Sequence, residues 1–155
     1  MLGLPFAFAS HFAPAQMMPA IDIYRSRFRP SSRLQRPYVM LGFNVFAADT
    51  DDQARVLVTS AQQAFVNLRS GRPSTLQPPI PGFENTLTPP QRELLSQVLS
   101  CSAIGSATSV RQALRDFISR TQPDELIIAS MIHDHAARLR SYEIAANIAR
   151  EESKA

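Results

Sequence analysis

The segment that most constrains the fold is LPFAFASHFAPA, which covers residues 4–15. Its apolar run, residues 4–9, ends at the polar pair Ser10 and His11, and an amphipathic helical pattern follows. That order is typical of a buried parallel strand that delivers side chains to a ligand pocket. Such a strand needs neighbours on both sides, and only three residues precede it. We therefore expect the chain to be the later part of a larger α/β protein.

Two further apolar runs predict strands, at residues 37–49 and 124–132. A helix is predicted after each strand, and Gly71 ends the second one. The proline-rich segment 72–90 is an extended excursion, expected to form a lid or a subunit contact, and a short helix follows it at 94–99. The apolar stripes of the last two predicted helices are Val110, Leu114, Phe117 and Ile118, and then Leu139, Tyr142, Ala145, Ala146 and Ala149. Strands alternating with helices indicate an α/β fold of about three parallel β/α units.

The charge pattern leaves two interpretations of one arginine cluster. The formal net charge is +3, and five arginines fall between residues 25 and 36. Arginine clusters neutralise phosphates in nucleic-acid-binding proteins, but they also suit the end of a helix and a solvated loop. No recognition-helix or single-strand-binding motif accompanies the cluster. We therefore favour the solvated loop and predict no nucleic-acid partner.

The remaining composition predicts a protein of the cytoplasm. Cys101 is the only cysteine, which excludes an intrachain disulfide and a zinc site built on several thiolates. No Lys or Arg precedes Arg25, so the positive segment of a secretory signal is missing. No apolar stretch reaches the roughly 18 residues of a membrane span. We expect no membrane partner.

Several segments, in order, resemble the luciferase-like, flavin-dependent monooxygenases. The segments that carry the resemblance are LPFAFASHFAP, PYVMLGFNVFAADT, IGSATSVRQAL, DELIIAS and DHAARLRSYEIAANI. The resemblance implies a (β/α)8 barrel, of which residues 1–155 would supply the C-terminal half, with strands six to eight. It also implies reduced FMN as the cofactor, delivered as a diffusible molecule by a separate flavin reductase. The family's acidic-His pair and its Gly-Ser phosphate turn have no counterpart here, so we expect this chain alone to bind FMN poorly or not at all and to be inactive.

Candidate site residues follow from the rule that such barrels bind ligands at the carboxyl ends of their strands. By resemblance, Ser10 and His11 are the candidate cofactor-binding residues, near the isoalloxazine ring. His11 could equally cap the following helix or bond a loop carbonyl. The predicted substrate-pocket residues are Phe12, Asn44, Phe46, Ser130 and His133. No catalytic residue is assigned.

Two other polar clusters carry weaker signals. His133 and His135 flank Asp134, but residues two apart on a helix face different ways, so we predict a helix N-cap and no metal site. Gly105 and Ser106 open a predicted helix and could bind an anion, although capping of that helix is the simpler interpretation.

A function without catalysis is the alternative. The unpaired edges of a partial barrel favour association, so the chain could be a self-associating interaction module and a homo-oligomer. Light scattering separates a defined oligomer from the aggregation expected of a partial enzyme.

Overall fold

The computed structural model describes residues 3–153 as a parallel sheet flanked by helices. The strands are β1 (Phe6–Phe8), β2 (Val39–Ala47), β3 (Ser102–Gly105) and β4 (Glu125–Ala129). The α-helices are α1 (Met17–Arg27), α2 (Asp51–Leu57), α3 (Thr59–Arg69), α4 (Pro89–Val98), α5 (Ala107–Thr121) and α6 (His135–Glu152). Single 3-10 turns lie at Pro14–Gln16 and Phe83–Thr86. The predicted α/β class is confirmed.

Strand β2 pairs in parallel with each of the other three strands. Its even-numbered positions bond to β1 and β3, since Asn44 N donates to the carbonyl of Cys101, just before β3. Its odd-numbered positions bond to the β4 side, since Val39 O accepts from Asp124 N. Strands β1 and β3 therefore lie one after the other along one edge of β2, and β4 lies along the opposite edge.

Strand β3 corrects the prediction of three strands. Residues 104–106 were expected only to introduce a helix, yet Ser102–Gly105 extends and pairs with the last four residues of β2. Two strand boundaries also differ. Strand β1 covers only Phe6–Phe8 and is not fully buried, and β4 stops at Ala129. The predicted second strand is confirmed, because eight of the nine residues of β2 are buried.

The main core lies between the sheet and helices α1, α5 and α6. The odd-numbered side chains of β2 point into it, namely Val39, Leu41, Phe43, Val45 and Ala47. They meet Ile21 of α1, Phe117 of α5 and Ile148 of α6. Burial of this apolar surface is the principal term that holds the helices on the sheet.

The opposite face of the sheet is covered at one end only. At the carboxyl end of β2, Phe46 is fully buried in a second cluster with Phe65 of α3 and Leu95 of α4. Toward the amino end of the strand the cover stops, and Ile127 of β4 is 51% exposed there. The α3–α4 segment therefore closes one end of this face.

Side-chain caps and the position of one proline account for several of the helix boundaries. The Thr50 side chain caps α2 by accepting from Gln53 N. Asp134 caps α6 by accepting from Ala137 N, and this cap was predicted. Pro19 lies in the first turn of α1, where a missing N–H costs no helical hydrogen bond. The single helix predicted up to Gly71 is two helices, α2 and α3, that meet at Val58. Among residues 3–153, no helix combines the length and the apolar character needed to cross a membrane.

Candidate functional site

The turn after β1 is fixed to the middle of β2 by Ser10. The Ser10 side chain is fully buried, and its Oγ donates to the carbonyl oxygen of Gly42 over 2.6 Å. A buried hydroxyl of this kind secures the backbone against the neighbouring strand. The next residue, His11, is thereby placed directly over β2.

The imidazole of His11 occupies the space that a side chain at position 42 would fill. A Cβ built on Gly42 would lie 1.9 Å from His11 Nδ1 and 2.7 Å from Cε1. The position of the His11 imidazole therefore requires a residue without a side chain at position 42. His11 does not cap a helix, because the residue that precedes the following 3-10 turn is Ala13, which makes no side-chain cap.

Asn44 supports His11 from the same face of β2. Asn44 is 1% exposed, and its Nδ2 donates to the carbonyl oxygen of His11 over 3.0 Å. Its Oδ1 is buried without a hydrogen-bond partner among residues 3–153, and the same holds for His11 Nδ1. Buried polar atoms without a partner are rare in folded proteins and are typical of a site that receives a ligand or an ordered water.

A groove of about 280 Å³ opens beside these residues. It runs along the uncovered part of the sheet, and its walls are mostly apolar. The lining residues are Ala7, Phe8, Ala9, His11, Met40, Gly42 and Ile127. The groove thus offers a flat apolar surface with one imidazole at its edge.

The predicted site residues separate into two groups. Ser10, His11 and Asn44 come together around Gly42, where His11 lines the groove, and the other four lie apart from this cluster. Phe12 is 63% exposed, Phe46 lies under α3 and α4, and His133 is exposed. Ser130 is buried and donates to the carbonyl oxygen of Val45, so its hydroxyl joins two strands.

Gly42, Met40 and Ile127 are groove residues that were not singled out in the sequence. Met40 and Gly42 share their face of β2 with Asn44, because side chains alternate along a strand. This alternation along the predicted second strand could have identified Met40 and Gly42 from the sequence, once Asn44 was selected. Ile127 carried no such signal.

The amino end of α5, considered above as an anion site, already receives a carboxylate of this chain. Asp51 Oδ1 accepts from Ser106 N over 2.6 Å and from Ser109 Oγ over 2.9 Å. These hydrogen bonds hold the pKa of Asp51 below its ordinary value. Gly105 has a φ of 152°, and a Cβ there would lie 2.7 Å from Asp51 Oδ1. Ser106, the N-cap residue of α5, makes no side-chain cap, so the expected capping by its side chain is not seen.

No metal site is indicated in the part of the chain that the structure describes. It contains no group of three or more His, Cys, Asp or Glu side chains arranged to hold an ion. Cys101 is buried, and burial raises the pKa of its thiol. Cys101 is therefore a packing residue of the main core.

The fold and the site define a parallel β/α protein in which His11 and Asn44 lie beside an apolar groove. Comparison with known proteins makes this class more specific. No protein-family model matches the chain. The chain is similar to a luciferase-like monooxygenase of Escherichia coli (strain K12), with 45% identity over 150 residues, which are 97% of this chain and 45% of that protein. It is similar to the uncharacterized protein YvbT of Bacillus subtilis (strain 168), with 42% identity over 95% of this chain and 44% of that protein.

Two solved structures share the fold. Apo-MsnO8 superposes with a TM-score of 0.75 and 27% identity, over 96% of this chain and 46% of that one. The monooxygenase RslO1 from Streptomyces bottropensis superposes with a TM-score of 0.56 over 97% of this chain and 42% of that one, and at 12% identity it supports the fold alone. The chain spans about half the length of the curated relatives it matches. It is homologous to half of a luciferase-like monooxygenase, as the resemblance predicted, and the matches are consistent with the C-terminal half.

Proposed function

We propose that the chain forms the C-terminal part of a flavin-dependent luciferase-like monooxygenase. In this proposal β1, β2 and β4, with the helices that follow them, are three adjoining units of a (β/α)8 barrel. The parallel order β1-β2-β4 supports it, as does the position of the groove toward the carboxyl ends of β1 and β2. The observation that carries the proposal is the placement of His11 over Gly42, with Asn44 holding the turn.

The groove suits one part of FMN better than the other. Its apolar floor, formed by Met40, Gly42 and Ile127, fits a flat aromatic ring such as the isoalloxazine. His11 is the one polar side chain of the lining, and it brings an imidazole to the edge of such a ring. None of the described lining residues is Lys or Arg, so the groove offers no basic side chain to a phosphate. The residues present therefore fit the ring of FMN and leave its phosphate to another part of the protein.

Each residue has a separate task in this proposal. Ser10 fixes the turn to β2, and Gly42 leaves room for the imidazole of His11. Asn44 holds the His11 backbone, so the imidazole meets the bound ring in one orientation. The α3–α4 segment covers the sheet face around Phe46 and keeps water from that part of the sheet.

The bound cofactor would supply the oxygen chemistry. Reduced FMN, when bound, would supply the activation of molecular oxygen, and we propose that a separate flavin reductase delivers this cofactor by diffusion. The chain's own contribution is to orient the ring and to keep one side of it dry.

Titration with two flavins tests the proposal. FMN and lumiflavin, which has the same ring without the ribityl phosphate, are each titrated against the chain by flavin fluorescence. We expect both to bind with a similar Kd, on the order of 0.1–1 mM, because only the ring is held. His11→Ala should weaken both, and the exposed His133→Ala is the matched control that should weaken neither.

Two results would contradict it. A micromolar or tighter complex with FMN alone would show that this chain grips the phosphate. No binding up to millimolar flavin, or equal loss in the two histidine variants, would show that the groove is not the flavin wall.

A further inference from the structure

A second cavity, of about 380 Å³, lies beyond the carboxyl end of β2, between helices α2 and α6. Its base is formed by Ala47 and Ala48, which are buried. Its walls are formed by Val56 and Leu57 of α2 and by Ala137 of α6. We call this space the end cavity. Its volume and its mostly apolar walls are typical of sites that bind small molecules.

The base of the end cavity has no free backbone N–H. Ala47 N donates to Ser141 Oγ over 3.0 Å, and Ala48 N donates to the carbonyl oxygen of Gly105 over 3.1 Å. The buried hydroxyl of Ser141 donates in turn to the carbonyl oxygen of Val45 over 3.2 Å, which fixes α6 to this end of β2. The base therefore offers methyl groups to a ligand, and the helix beside it is held in place.

The mouth of the end cavity carries two opposite charges that already pair with each other. Arg140 donates to Asp49 Oδ1 through Nη2 over 2.8 Å and through Nε over 3.1 Å. Its Nη1 donates to Glu143 over 3.4 Å. The remaining polar residue of the lining is Gln53, whose exposed side-chain amide can both donate and accept. Because a charged group gains little from an apolar cavity whose own charges are paired, these features favour an uncharged ligand.

The end cavity is separate from the groove beside His11. The two share no lining residue. Gly42 of the groove and Ala47 of the end cavity are five positions apart on β2, or roughly 16 Å along the strand. They also lie on opposite faces of the sheet, since Ala47 belongs to the main core and Gly42 faces the imidazole of His11.

We propose that the end cavity is a second small-molecule site, which binds an uncharged and largely apolar molecule that carries one hydroxyl group. The apolar part packs on Ala47, Ala48 and Ala137, and the hydroxyl group exchanges a hydrogen bond with the side-chain amide of Gln53. This inference goes beyond the proposed function and does not rest on it, because no residue of the end cavity contacts the flavin in that proposal.

Three probes that share one aromatic ring test the class of ligand. Benzyl alcohol is uncharged, benzoate is an anion and benzylamine is a cation near neutral pH. Each is titrated against the isotope-labelled 155-residue chain and followed by NMR. We expect benzyl alcohol to shift the amide signals of Ala48 and Ala137 to saturation, with a Kd on the order of 1 mM. The two charged probes should bind at least about fivefold more weakly.

Two leucine variants of neighbouring residues test the position of the site. Ala137 lines the end cavity, whereas Ala136 is exposed and does not line it. Ala137→Leu should fill the space and weaken the binding of benzyl alcohol at least about tenfold. Ala136→Leu is the matched control and should leave the binding unchanged. Circular dichroism establishes that each variant is folded as the parent chain is.

A third variant tests the hydrogen bond without changing the core. Gln53 is exposed, so Gln53→Leu should fold even where Ala137→Leu does not. Loss of one hydrogen bond should weaken benzyl alcohol about two- to tenfold, and toluene, which lacks the hydroxyl group, should bind the variant and the parent equally.

Four results would overturn the inference. The first is the absence of a saturable shift with benzyl alcohol. The second is a charged probe that binds as tightly as benzyl alcohol. The third is equal binding of benzyl alcohol by the parent, Gln53→Leu and the two alanine-to-leucine variants. The fourth is displacement of benzyl alcohol by lumiflavin, because the two molecules would then share one site. Flavin binding without benzyl alcohol binding refutes this inference only, and the reverse result refutes the proposed function only.

Discussion

Replacing Gly42 by Ala tests the arrangement of the site. A Cβ at this position would lie 1.9 Å from His11 Nδ1 and 3.1 Å from Cγ, so the imidazole must move. Overpacking of this kind costs about 1–3 kcal/mol. Alanine is also a better strand residue than glycine, by about 0.5–1 kcal/mol. We therefore expect Gly42→Ala to lower the free energy of unfolding by about 1–2 kcal/mol, from the balance of these two effects.

The His11→Ala background isolates the contact. With the imidazole removed, the three nearest atoms that the new methyl group would meet are gone, and Gly42→Ala should be neutral or slightly stabilising. Urea unfolding followed by circular dichroism, on the four proteins of the cycle, should give a coupling of about 1–3 kcal/mol between the two positions. An equal loss in both backgrounds would refute the packing of His11 on Gly42.

Two further expectations concern Asp51 and Cys101. The lowered pKa of Asp51 means that its carboxylate stabilises the fold above its ordinary value of 3.8, and that this stabilisation is lost as pH falls through the folded value. Between about pH 5 and pH 3 the parent should therefore lose more stability than Asp51→Asn, and parallel urea-unfolding curves would contradict the hydrogen bonds to Ser106 and Ser109. Cys101 is 1% exposed with a raised thiol pKa, so iodoacetamide should react far more slowly with the native chain than with the urea-unfolded chain. Similar rates would contradict its burial.

Strand β2, which pairs with every other strand, could be predicted from the sequence, whereas β3 could not. Residues 39–47 form an apolar run rich in β-branched and aromatic residues, and β2 is buried as that run predicted. Residues 102–105 are few and end in glycine, so their own sequence gives no strand signal. Pairing with β2 extends them, which is a tertiary effect that no local pattern contains.

The helix stripes show a similar limit. Apolar spacing identifies α6 as a helix, but the helix carries two apolar faces, and spacing does not say which one meets the sheet. In α5, Val110 and Phe117 are buried as expected, whereas Ile118 is 43% exposed. Which face is buried was decided by packing against β2 and β3.

Part of the site could be predicted from the general rule that parallel β/α proteins bind ligands at the carboxyl ends of their strands. Ser10, His11 and Asn44 were selected because they end or lie late in strands, where parallel β/α proteins form their pockets. The same rule selected Ser130, whose hydroxyl instead bonds to β2. The contact of His11 with Gly42 joins two positions that are distant in sequence, so residue spacing could not reveal it.

The central position of β2 has a consequence for synthesis on the ribosome. Val39 and Asp124, which bond to each other beside β4, are 85 residues apart. At roughly 5–20 residues per second, the β4 edge of β2 waits about 4–17 s for its partner after it has been translated. During that time β2, an apolar strand, has one free edge, so this edge is open to non-native strand pairing in the nascent chain.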